Sequence, residues 1–112
     1  MQLPPTTAIQ VRDVLVPERL TPYPQVVAFM GELIRQHMAR NTIRSYVRDV
    51  LLFAEWFLEH TGRASFQAQA VTPIDIDDYK GFLQRDQQAQ PATVNRRRAA
   101  LRKFFEWAQS AG

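Results

Sequence analysis

Residues 41–62 read "NTIRSYVRDVLLFAEWFLEHTG". Ile43, Tyr46, Val47, Val50, Phe53, Ala54, Phe57 and Leu58 recur at intervals of three and four, the period of one face of an α-helix. The stretch predicts a helix from about Thr42 to His60, and Gly62 stands where a left-handed C-terminal cap is wanted. A helix with one apolar stripe must bury it against other elements, so the fold follows from what flanks this segment.

The flanks supply three more helices. Upstream, Pro24 to His37 carries Val26, Phe29, Met30, Leu33 and Ile34 on one side. Downstream, "TPID" at 72–75 is a start signal: Thr72 as N-cap, Pro73 at the first helical position and Asp75 three residues after the cap. That helix is expected to run to Asp86, with Ile76, Tyr79, Phe82 and Leu83 facing inward. Gly81 is its weak point, costing roughly 1 kcal/mol against alanine. The last helix is expected from about Val94 to Ala108, capped by Thr93, with Val94, Leu101, Phe104, Phe105 and Ala108 inward. No stretch within 24–112 reads as a strand, which makes the fold class all-α, a helical bundle. Residues 1–22 hold four of the seven prolines and show little helical period. They read as an arm or linker with a short extended piece from Ile9 to Val14, leaving 23–112 as the domain.

Composition narrows the function classes. The 112 residues fit one small domain, and 46% hydrophobic content suffices for a core. Cysteine is absent, which excludes disulfides and thiolate metal sites and fits a cytoplasmic protein. No apolar run is long enough for a bilayer, so no membrane partner is expected. His37 and His60 lack companions at metal-ligand spacing. Asp75, Asp77 and Asp78 satisfy a helix start and lack the glycine and glutamate of a calcium loop. Nucleophile elbow, glycine-rich phosphate loop and zincin motifs are missing. The expectation is therefore no catalytic residue, no metal and no cofactor.

Charge placement is more informative than the net charge of +3. The N-terminal end of a helix favours anions, and the helix at 73–86 obeys that with its aspartates. The helix at 42–60 opens instead with Arg40, Arg44 and Arg48, and holds Glu55 and Glu59 toward its end. The helix at 94–108 opens with Arg96, Arg97 and Arg98. A bound phosphate backbone accounts for the reversal, because unpaired amides and guanidinium groups both suit phosphate oxygens. On this reading Arg40, Asn41, Thr42, Arg44, Arg48, Thr93, Arg102 and Lys103 contact DNA phosphate. Asn95, Arg96 and Arg97 reach base edges if the front of the last helix enters a major groove. The plain alternative leaves these arginines as solvated charge, Arg97 and Arg98 laying their stems along the edges of the core. The chain is then a helical protein-interaction module anchored by Leu52, Trp56 and Trp107. The DNA reading requires the cations to share one side of the bundle and to be free of carboxylates from their own chain.

The order of these elements resembles a known family. "NTIRSYVRDVLLFAEWFLEHTG", "VTPIDIDDYKGFLQRD" and "PATVNRRRAALRKFFEWAQSAG" are similar to the N-terminal core-binding domain of tyrosine recombinases, the phage-integrase family. The likeness rests on Thr42 and Tyr46, on Thr72 to Tyr79, and on Thr93, Val94, Asn95, Arg96, Ala100, Leu101, Arg102, Phe104 and Phe105. It covers about residues 24–112. Arg98 departs from the pattern, standing where the family usually has an apolar residue. The resemblance implies a four-helix orthogonal bundle, SAM-like, that covers one face of double-stranded DNA. It implies a parent recombinase whose separate C-terminal catalytic domain closes on the other face and is absent from this stretch. Neighbouring protomers on DNA are further implied partners.

Overall fold

A computed structural model describes residues 17–111. The helices are α1 (Pro17–Leu20), α2 (Pro24–Arg35), α3 (Arg40–Thr61), α4 (Pro73–Gly81) and α5 (Pro91–Ala111). A 3-10 turn at Ala68–Ala70 precedes α4, and a π-helical turn at Phe82–Asp86 continues it. The described residues contain no strand, as the sequence pattern requires. The extended piece expected at Ile9 to Val14 lies outside them. The end of the expected arm is part of the bundle: Leu20 and Tyr23 are buried, and Arg19 bonds Glu55 of α3 through Nε and Nη2 at 3.1 and 2.6 Å.

The long helix α3 is the spine, and both α2 and α5 pack against it. Its inward stripe is the one its sequence period marks, with Ile43, Val47, Val50, Phe53, Ala54 and Phe57 all inaccessible to solvent. Phe53 is the hub of the core. Its ring meets those of Trp56, Phe57, Phe66, Tyr79 and Phe105 at centroid distances of 5.0 to 6.2 Å, mostly in the edge-to-face and tilted arrangements that aromatic quadrupoles favour. Phe104 of α5 closes the other side on Phe29 of α2. Burial of five phenylalanines and the aliphatic stripes supplies the driving force for folding.

Helix ends separate what a cap rule catches from what it misses. Thr72 forms the full capping box: its hydroxyl accepts from the Asp75 N–H, and the Asp75 carboxylate accepts from the Thr72 N–H at 2.8 Å. Gly62 closes α3 at φ 74°, where a side chain would be strained. At α2 the expected last turn is trimmed. The helix ends at Arg35, and His37 takes a left-handed φ of 58°, so that the Met38 N–H reaches the Leu33 carbonyl at 3.4 Å in a Schellman-like closure.

The start of α5 corrects the sequence expectation. The helix begins at Pro91, not Val94, and Thr93 is its third residue rather than its cap. Pro91 needs no amide partner and holds a helical φ, and the Gln90 carbonyl accepts from the Val94 N–H at 3.1 Å. Likewise α3 begins at Arg40, with Ala39 before it and no side-chain cap. Thr42 and Thr93 are thus equivalent residues of two helices in the same frame. The arginines at 96–98 fall in the second turn of α5, where the dipole is already weak.

Candidate nucleic-acid interface

Two groups of polar residues come from the front halves of α3 and α5. On α3, Asn41, Arg44 and Arg48 lie three and four residues apart, on one side of the helix. Arg44 Nη1 donates to Asn41 Oδ1 at 3.3 Å, which ties the first turn to the second. Arg40, Asn41 and Arg48 are exposed, and Thr42 and Arg44 are partly so. On α5, Asn95, Arg98 and Arg102 share a side by the same spacing. Asn95 and Arg98 border a shallow depression with Lys80 and Gln84 of α4 and its π turn. Arg102 borders a second with Ile76 and Phe105. Among the described residues no carboxylate lies within 4.0 Å of Arg40, Arg44, Arg48, Arg98, Arg102 or Lys103.

The remaining candidates part from this set. Lys103 lies on another side of α5, beside Glu32 and Gln36 of α2. Thr93 is half-buried in the first turn. Arg96 and Arg97 turn toward Asp49 of α3, which is 1% exposed. Arg96 donates from Nε and Nη2 to the two carboxylate oxygens at 3.0 and 3.1 Å. The bond and the charge of Asp49 raise the Arg96 pKa further above its ordinary value. Arg97 sits three residues after Val94 and four before Leu101, in the middle of the buried stripe rather than at its edge. Its Nη1 donates to the Tyr79 hydroxyl at 3.3 Å. Its Nε lies 3.9 Å from Asp49 and is buried without a hydrogen bond. Burial pushes the Tyr79 phenol up, a trend the Arg97 bond opposes. Two guanidinium groups thus face one carboxylate, an excess of one positive charge where α3, α4 and α5 meet.

The DNA reading requires cations free of carboxylates from their own chain and on one side of the bundle; Arg96 and Arg97 fail the first condition at Asp49 and Lys103 the second, while Arg40, Arg44, Arg48 and Arg102 meet the first among the described residues. Asp49 follows Arg48 in a charged pair that looks solvated until α5 is laid against it. Lys80 comes beside Arg98 only through the packing of α4, which no pattern within one helix encodes. The alternative anchors are mostly occupied. Trp56 packs on Tyr79 and stacks on His60, and Trp107 packs on Phe29 and Phe104. The nearest approach to a metal site is His60 Nε2 at 3.4 Å from Asp78, and no group of three ligating residues occurs among the described residues. No helix there is long and apolar enough to cross a membrane.

Comparison with known proteins agrees with the element order. Residues 26–112 match the family model described as the phage integrase N-terminal SAM-like domain. The chain is also similar to tyrosine recombinase XerD of Ralstonia nicotianae, with 41% identity over 71 residues. That stretch is 63% of this chain and 21% of the relative, so the likeness covers about a fifth of the relative's length. No solved structure matches. With the family's helices present in order and the match spanning most of the described residues, this chain belongs to the phage integrase N-terminal SAM-like domain family.

Proposed function

We propose that this chain is the DNA-gripping module of a site-specific tyrosine recombinase, holding one face of duplex DNA during integration or recombination. The observation that carries the reading is that Arg40, Arg44 and Arg48 on α3 and Arg98 and Arg102 on α5 have no carboxylate partner among the described residues, whereas Arg19, Arg35 and, on α5 itself, Arg96 and Arg97 are tied to Glu55, Glu32 and Asp49. Arg40, Arg44, Arg48 and Arg102 supply charge for phosphates, and Asn41, Thr42 and Thr93 short hydrogen-bonding groups. The amides at the start of α3, which no side chain caps, add donors for the same oxygens. Asn95 and the outer edge of Arg96 contact base edges, while Arg97 serves mainly to tie α5 to α3 and α4. Lys103 is a minor contributor from its separate side.

Strand cleavage and joining are assigned to a catalytic domain of the parent protein, closing on the opposite face of the duplex, with neighbouring protomers as further partners. No metal or nucleotide cofactor enters the grip. Affinity of the module alone is expected to be modest, because half of a two-part clamp forgoes the gain from linked binding.

The test is a titration of labelled duplex at several salt concentrations. Neutralising about five phosphates gives a slope of log affinity against log salt near −4 to −5. Backbone amide shifts should cluster at residues 40–48 and 93–103. Failure to retain duplex at low salt, or a slope near zero, overturns the reading in favour of a protein-interaction module.

A further inference from the structure

Asp49 is the buried charged residue of the described core. A carboxylate in that position is costly unless charges and hydrogen bonds compensate it, and apolar residues of equal volume often serve stability as well or better. What the carboxylate does that an apolar residue cannot is orient a cation. Arg96 grips both oxygens through Nε and Nη2, a two-point bond that sets the plane of the guanidinium as well as its position. The acceptor is fixed by burial in α3. The bond leaves Nη1 without a partner among the described residues, on a side chain that remains 51% exposed. Arg97, held by the Tyr79 hydroxyl, closes the cluster from its inner side and balances the carboxylate, so the charge of Arg96 is not fully spent.

Resting on the DNA-binding reading above, we infer that Asp49 is a positioning residue for DNA contact. It presents the outer N–H edge of Arg96 to the duplex in one preset orientation. In doing so it pins the front of α5 to α3, so that the cations of both helices meet DNA as one rigid surface. A side chain ordered before contact loses less entropy on binding than one ordered by it. The role belongs to the pair: Asp49 touches no ligand and acts through Arg96.

A double-mutant cycle on DNA affinity tests this, with thermal melts run on every variant. The probe is a random-sequence duplex of about 20 base pairs at moderate salt, where uniform phosphate attraction does not mask the loss of one oriented donor. Asp49→Asn should weaken binding about 10-fold in the parent chain but less than about 2-fold when Arg96 is already alanine, the coupling expected of residues acting as a unit. Arg96→Lys keeps the charge and, on an exposed side chain, the fold, but cannot grip two oxygens. It should lose about 5-fold or more, since lysine does not replace arginine at a two-point bond. Equal losses from Asp49→Asn in both backgrounds, or parental affinity in Arg96→Lys, overturn the inference while leaving the DNA-binding reading intact. If Asp49→Asn does not fold, Arg96→Lys decides alone. A parent chain that fails to retain the duplex overturns both.

Discussion

Removing the Asp49 carboxylate leaves the two guanidinium groups without their shared acceptor where α3, α4 and α5 meet, and only Arg97 keeps one, the Tyr79 hydroxyl. Breaking a buried pair by deleting one partner costs several kcal/mol when both charges are buried. Here Arg96 is half-exposed and can turn to water, so Asp49→Ala is expected to destabilise by about 2 kcal/mol, measured by urea unfolding. Tyr79 gives a second handle on the junction. An unfolded tyrosine ionises near pH 10, and burial keeps the folded phenol protonated beyond that point. The unfolded state therefore loses its proton first, and stability falls as pH rises past about 10. Tyr23, also raised by burial, behaves in the same direction. In an alkaline absorbance titration the difference between the parent and Tyr79→Phe should show one phenol appearing only above pH 10, together with unfolding. A Tyr79 that titrates at its ordinary value would contradict the burial of this junction.

Among the elements, the helices most visible in the sequence are those whose period and caps agree. The stripe of α3, the glycine stop at Gly62 and the Thr72 capping box all follow from local rules, because each depends on neighbours within a turn. The start of α5 did not, although its signal was present: Pro91 plays the part in "QPAT" that Pro73 plays in "TPID". The difference has a measurable consequence. Thr72→Ala removes a reciprocal cap and should cost about 1 kcal/mol, whereas Thr93→Ala removes no cap and should stay within about 0.5 kcal/mol. Equal losses in denaturant unfolding would restore Thr93 as a cap. The site itself was less legible than the fold. The cations of α3 and α5 can be read from their own helices, but the groove reading of Arg97 conflicts with its spacing from Val94 and Leu101, which turns it inward. Which carboxylate meets it depends on a contact between Asp49 and Arg96 47 residues apart, and no periodicity within one helix encodes a partner on another.

At the scale of the whole molecule, the question is whether DNA would respond to net charge or to where the charge is held. The chain carries a formal +3, too little for a strong uniform field, so long-range attraction alone would give weak and indiscriminate binding. The structure divides the arginines into those committed to a carboxylate and those left open. Arg19 and Arg35 belong to the first kind, paired at 2.6 Å with Glu55 and Glu32, and surface pairs of this sort add little to stability. Arg44 and Arg48 belong to the second and lie one turn apart on α3. Two double variants remove the same charge from different places, Arg19→Ala with Arg35→Ala and Arg44→Ala with Arg48→Ala. If phosphates dock on the front of α3, the second should lose about 10-fold or more in duplex affinity at moderate salt and flatten the salt slope by about 2. The first should stay within about 2-fold, because its cations already have partners. Melting temperatures should remain close to the parent in both, since none of the four side chains lies in the core. Equal losses would mean that the bundle attracts DNA only by its overall charge, and the localisation of the grip to the fronts of α3 and α5 would be lost with it.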